Sequence, residues 1–106
     1  MIKRSAQPTF EVHGITGGYL GPGAKTVIPS FAEAKVSMRL VPNQNPKEIF
    51  ELFIKKVKSL NPNAIVTLES MAEPFLMDYK SKYLQKASEV MQDVFKKKPA
   101  FTREGG

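Results

Sequence analysis

Three short stretches of the chain alternate apolar and polar side chains, which is the pattern of β-strands with one buried face. In residues 9–15, apolar Phe10 and Val12 alternate with polar neighbours, and residues 34–42 and 64–69 repeat this alternation. Strands with one apolar and one polar side are typical of antiparallel sheets that are covered on one face. The pattern therefore predicts a three-stranded antiparallel sheet.

Two other stretches place apolar residues at helical spacing. Residues 46–60 follow Asn45, a favourable N-cap, and residues 81–97 are followed by Pro99. The apolar stripe of the first predicted helix comprises Ile49, Phe50, Phe53, Ile54, Val57 and Leu60. That of the second comprises Leu84, Ala87, Val90, Met91, Val94 and Phe95. The order β-β-α-β-α predicts an α+β fold, whose first four elements form most of a split-βαβ, ferredoxin-like unit with a helix on one face of the sheet.

The composition is that of an ordinary globular domain and narrows the class of protein. The chain has 106 residues, of which 42% are hydrophobic and 25% charged, with no cysteine and a net charge of +6. No apolar run approaches the roughly 20 residues of a membrane span, and the lack of cysteine favours a cytoplasmic protein. The lysines are spread along the chain, with groups in the last turns of the predicted helices, and do not interleave with aromatic residues. Neither nucleic acid nor a membrane is therefore predicted as a partner.

Few side chains suggest a chemical role. His13 is the single histidine, so it cannot form a multi-histidine zinc site by itself. Arg39 lies on the polar side of a predicted strand, where its rigid guanidinium fork suits recognition of a carboxylate. The alternative for Arg39 is a cross-strand salt bridge with Glu11 or Glu69. The residues alone thus predict an α+β domain and leave its activity open.

The order and spacing of several motifs carry more information. Residues 8–15 read Pro-Thr, four residues, then Gly-Ile; residues 21–29 read GPGAKTVIP; residues 39–46 read RLVPNQNP; and residues 101–106 read FTREGG. Together these motifs resemble the di-zinc aminoacylase/carboxypeptidase-G/carnosinase peptidase family, in its dipeptidase branch. Residues 8–46 resemble the lid (dimerisation) domain of that family, and residues 101–106 resemble a segment of its catalytic domain.

The resemblance implies a parent enzyme that hydrolyses dipeptides or N-acyl amino acids with two zinc ions and pairs as a homodimer through its lid. It implies that Arg39 binds the carboxylate of the substrate and that Thr26 lines the substrate site across the dimer. Arg103, Gly105 and Gly106 would begin a substrate-binding turn. On this basis residues 8–73 are expected to be a partial lid domain. Residues 74–106 are expected to be a returning segment of the catalytic domain, with the helix at 81–97 and a truncated turn.

Other family features have no counterpart in this chain. The resemblance assigns to it no catalytic residue and no metal ligand, because the His-x-Asp strand, the bridging carboxylates and the Asp-x-His-Ser-Gly segment have no match here. His13 occupies a different place and does not replace the histidine of that last segment. The expectation is therefore a fragment of a zinc-dependent dipeptidase that is inert in isolation. The alternative is a free-standing binding or assembly module that kept the lid fold without the hydrolase activity.

Overall fold

The computed structural model describes residues 6–102 and consists of one β-hairpin and two helices. Strands β1 (Thr9–Gly17) and β2 (Ala32–Arg39) pair antiparallel, and helices α1 (Pro46–Leu60) and α2 (Lys82–Phe95) follow. This confirms the α+β class. None of the described helices is long and apolar enough to cross a membrane.

A β-bulge at His13 keeps one face of the hairpin apolar along its whole length. Val12 lies opposite Val36, but Gly14 lies opposite Lys35, so His13 is an additional residue on β1. The additional residue shifts the side-chain alternation by one position. Ile15 therefore faces the same side as Phe10 and Val12, although simple alternation along residues 9–15 would place it on the polar side.

The predicted third strand is wrong for the part of the chain that the structure describes. Residues 64–70 belong to no strand, and the sheet contains β1 and β2 alone. Their alternation is nevertheless visible, since Ala64 and Val66 are half-buried while Ile65 is 90% exposed. No backbone–backbone hydrogen bond joins residues 65–70 to another described residue. The segment has the side-chain pattern of a strand but lacks the neighbouring strand that would complete one.

Local capping explains where the helices begin and end. The Asn45 side chain accepts hydrogen bonds from the backbone N–H of Lys47 at 2.9 Å and of Glu48 at 3.4 Å, which confirms the predicted N-cap of α1. Helix α2 is shorter than the predicted 81–97, because Ser81 is its N-cap and Lys96 adopts a left-handed conformation with φ 54°. That conformation interrupts the helical hydrogen-bond pattern and ends the helix.

Helix α1 meets the apolar face of the hairpin, but the described residues enclose no core. The rings of Phe10 and Phe53 lie 6.0 Å apart, which brings α1 to the predicted face of the sheet. Within residues 6–102, Pro46 is the single buried residue, and no apolar side chain of either helix stripe is fully buried. The chain has a radius of gyration of 21.4 Å. A compact domain of this length has a radius of gyration of about 13 Å, so the chain is much more extended than a compact domain.

Candidate functional site

Arg39 is the last residue of β2 and lies on the polar face of the hairpin. Its partner in the register is Thr9, at the open end of the hairpin. Arg39 is exposed, and within residues 6–102 it forms a salt bridge with neither Glu11 nor Glu69. The alternative interpretation as a structural ion pair thus receives no support from the described contacts. The guanidinium extends from a hydrogen-bonded strand and is available to a ligand.

Thr9 adds an unusual polar atom at the same end of the hairpin. Its Oγ1 is buried from solvent and has no hydrogen-bond partner among the described residues. Buried hydroxyl groups in folded proteins almost always have a partner, and leaving one unsatisfied costs about 1–3 kcal/mol. Thr9 and Arg39 therefore combine an unsatisfied hydroxyl with an unpaired cation.

The loop between the strands has an ordered tip built around Tyr19. The Tyr19 hydroxyl donates a hydrogen bond to the Pro22 carbonyl at 3.0 Å, and the Lys25 ammonium lies 4.6 Å from the centre of the Tyr19 ring. Gly23 has a φ of 78°, which favours glycine, and a Cβ on Gly21 would clash with the Tyr19 hydroxyl. The two glycines therefore let the backbone fold closely over the ring and present Lys25 and Thr26.

The base of this loop is an exposed apolar strip. Gly18 and Tyr19 share a shallow surface depression with residues 27–31, and the ring of Pro29 lies beside Gly18. Ile28 in this strip is 96% exposed. The two arms of the loop thus run side by side and extend the hairpin beyond the paired strands.

This geometry separates the two predicted substrate residues that lie in the described part of the chain. Arg39 lies at the open end of β2, whereas Thr26 lies in the loop beyond Ala32, at the other end. Eight strand residues span about 23 Å from the first Cα to the last at roughly 3.3 Å per residue. Within one copy of the chain, Thr26 and Arg39 therefore do not converge on one dipeptide-sized ligand.

The remaining predicted residues and the implied metal are not part of this arrangement. Arg103, Gly105 and Gly106 lie outside the described residues. Within residues 6–102, no group of three or more His, Cys, Asp or Glu side chains could hold a metal ion. His13 lies at the bulge and belongs to no such group among the described residues. The described residues therefore do not fit a zinc pair.

The sequence predicted no functional role for Thr9 or Tyr19, although Thr9 belongs to the Pro-Thr motif. The structure shows that Thr9 lies opposite Arg39 in the strand register. It also shows that the loop folds around the ring of Tyr19. The signal in the sequence was the pair of glycines at positions 21 and 23, which indicates a tightly folded loop without naming the side chain it encloses.

Known proteins are similar to this chain over almost its whole length. A Cys-Gly metallodipeptidase of Candida albicans is 37% identical over 105 residues, covering 93% of this chain and 22% of that protein. A Beta-Ala-His dipeptidase of Rattus norvegicus is 30% identical, covering 92% of this chain and 21% of that protein. This chain therefore spans about a fifth of the length of these relatives.

A solved structure supports the same relationship. The crystal structure of an M20 family metallo-carboxypeptidase from Sulfolobus solfataricus superimposes with a TM-score of 0.87 at 30% identity, covering 98% of this chain and 24% of that one. The model of the peptidase dimerisation domain matches residues 2–65, which is more than half of the chain. The chain therefore belongs to the M20 peptidase dimerisation domain family.

Proposed function

We propose that this chain is the pairing and substrate-closing part of a zinc-dependent dipeptidase, in which Arg39 binds the C-terminal carboxylate of the substrate. The observation that carries the proposal is the exposed Arg39 at the end of a paired strand, without an acidic partner among residues 6–102. Two relatives described as dipeptidases act on molecules that carry such a carboxylate.

The position of Arg39 suits this role for physical reasons. A guanidinium can bind both oxygens of a carboxylate in parallel, and a paired strand fixes its Cα more firmly than a loop would. The nearest residues on the same face are Thr9, directly opposite, and Ser37 and Glu11, two residues further along each strand. Glu11 forms no salt bridge with Arg39 among the described residues, so the guanidinium has no acidic partner there to release before it binds a carboxylate.

The hydrolytic chemistry belongs to other parts of the proposed enzyme. The two zinc ions would be held by residues outside the described part of this chain, because no suitable ligand group occurs within it. In the same proposal residues 8–73 belong to the lid, residues 74–106 return to the catalytic domain, and the enzyme acts in the cytoplasm. Arg103, Gly105 and Gly106 would begin a turn that contacts the substrate.

A homodimer would bring the two ends of the hairpin to one substrate. Thr26 and Arg39 lie at opposite ends of β2, so a site that uses both needs the loop of one copy and the strand end of another. The exposed apolar strip at residues 27–31 supports contact of the loop with another surface. The loop would then present Thr26 to a substrate bound mainly by the partner.

The test is substitution of Arg39 in the complete protein that contains this chain. R39A should raise KM for a dipeptide about 30-fold or more, because a charge-assisted hydrogen bond contributes about 1.5–3 kcal/mol and the fork forms two. K35A is the matched control, since it removes a cation from the same exposed face of the same strand. An equal response of the two variants, or no dipeptidase activity in the unmodified protein, would contradict the proposal.

A further inference from the structure

Thr9 and Arg39 have complementary hydrogen-bonding needs. The Thr9 Oγ1 is buried and lacks a partner among residues 6–102, and Arg39 lies directly opposite it in the register. Facing residues of an antiparallel pair have Cβ atoms about 4.5–5.5 Å apart and share one face of the sheet. The flexible arginine side chain can therefore bring its guanidinium to the hydroxyl without any movement of the backbone.

The donor and acceptor counts of the two groups also match. A guanidinium has five N–H donors and no acceptor, whereas a threonine hydroxyl can accept two hydrogen bonds. A bidentate carboxylate takes two of the five donors, so further N–H groups remain for other acceptors. Thr9 Oγ1 is an acceptor on the same polar face as Arg39, and it makes no hydrogen bond to any other described residue.

We propose that Thr9 is a positioning residue for carboxylate recognition by Arg39. When the guanidinium binds the substrate carboxylate, one of its remaining N–H groups donates to Thr9 Oγ1, which fixes the plane of the fork. Without this contact the fork would be free to turn toward Glu11, which lies on the same face and diagonally opposite Arg39. This inference rests on the proposed role of Arg39 and extends it to a residue that has no assigned function.

The experiment uses the complete protein, with a free dipeptide and its C-terminal carboxamide as paired substrates. T9V replaces the hydroxyl with a methyl group of similar shape, and T9S retains the hydroxyl. T9V should lower kcat/KM for the free dipeptide about tenfold through KM, while T9S should stay within about twofold of the unmodified protein. For the carboxamide, which offers no carboxylate, T9V should change kcat/KM by less than about twofold.

The ratio of kcat/KM for the free dipeptide to kcat/KM for the carboxamide, both measured on one preparation, separates a positioning role of Thr9 from an effect of T9V on stability. A partly unfolded T9V sample lowers both rates equally and leaves the ratio unchanged, so an unchanged ratio overturns the inference. The effect of T9V on kcat/KM should also disappear in an R39A background, which has no donor left for Oγ1, as expected for coupled residues. If R39A raises KM and T9V does not, Thr9 has no positioning role and the proposed function stands. If R39A itself has no effect on KM, the role of Arg39 is wrong and the inference falls with it.

Discussion

At the residue scale, Arg39 and Lys25, two of the exposed cations of the hairpin, are held in different ways. Arg39 depends on the strand to fix its backbone, whereas Lys25 lies over the ring of Tyr19 in a loop that no strand supports. An exposed cation–π contact contributes about 0.5–1 kcal/mol, and the hydrogen bond from Tyr19 to Pro22 adds about 0.5–1.5 kcal/mol. Tyr19 is therefore the side chain on which the shape of the loop tip depends most.

Replacing Tyr19 should impair the proposed enzyme through the loop tip. Y19F keeps the ring under Lys25 and loses the hydrogen bond to Pro22, so kcat/KM should fall a few-fold; Y19L loses both contacts and should fall about tenfold. Steady-state kinetics of the complete protein measure both effects. Y83L is the matched control, because Tyr83 stacks with Lys82 at 5.1 Å on α2, away from the hairpin. Equal losses in Y19L and Y83L would refute this role.

The sequence predicted the roles of residues whose partners are close to them in the sequence. It did not predict the roles of residues whose partners are distant in the sequence and are brought close by the fold. Asn45 was predicted as an N-cap because its partners lie two and three residues away. Arg39 was correctly expected on a polar face, since alternation along one strand is also local. The importance of Thr9 depends on the residue opposite it, and that register is fixed by 14 residues of intervening loop and a bulge.

At the element scale, the bulge determines which side chains the hairpin shows on each face. Before His13, Phe10 and Val12 face the apolar side; after it, Ile15 does so because one residue is unpaired. A continuous ladder would put Ile15 among the polar residues. The single additional residue therefore keeps the apolar face continuous; α1 meets this face at Phe10, whereas Ile15 is 77% exposed.

Deleting His13 should be far more harmful than changing its side chain. The deletion forces one half of β1 to present its polar side to α1, because a one-residue shift reverses every side chain that follows. H13A keeps the bulge and should change the melting temperature of the complete protein by no more than about 2 °C. The deletion should lower it by 10 °C or more, or prevent folding. Thermal unfolding followed by circular dichroism compares the two. Similar melting temperatures for both variants would show that the bulge is dispensable.

Helices were predicted from the sequence more accurately than strands. The bounds of α1 match the predicted 46–60, because its cap, proline and apolar stripe are all contained in the segment itself. Residues 64–69 show equally clear alternation but form no strand, since a strand also needs a neighbour to accept and donate its backbone hydrogen bonds.

At the scale of the whole molecule, the amount of exposed surface is the dominant feature. The chain exposes 9793 Å², whereas a compact protein of 11.8 kDa exposes about 5,900 Å². The apolar side of α2 contributes to the excess, with Val94 67% and Phe95 66% exposed. A standard interface covers about 800 Å² per partner. Contact with one further copy through an interface of that size would therefore leave much of the excess uncovered.

The 106-residue chain produced by itself should accordingly lack a cooperative fold. We expect it to bind a hydrophobic dye and to unfold over a broad temperature range, because its apolar stripes remain exposed. We also expect it to hydrolyse no dipeptide, because residues 6–102 contain no group of side chains that could hold a metal ion. Small-angle scattering should give a radius of gyration well above the 13 Å or so of a compact domain. The complete protein, measured in parallel, is the control. A sharp thermal transition together with a compact radius would contradict this expectation and favour a free-standing module.

The length of β2 has a consequence for genetics. If a working site takes Arg39 from one copy and Thr26 from another, then two alleles that are each inactive can restore one another. A mixed dimer of a T26A chain and an R39A chain contains one site with both residues intact and one site with neither. Random pairing of equal amounts would make half of the dimers mixed, so about one quarter of all sites would function. Producing the T26A and R39A chains together would then restore dipeptidase activity that neither chain has by itself.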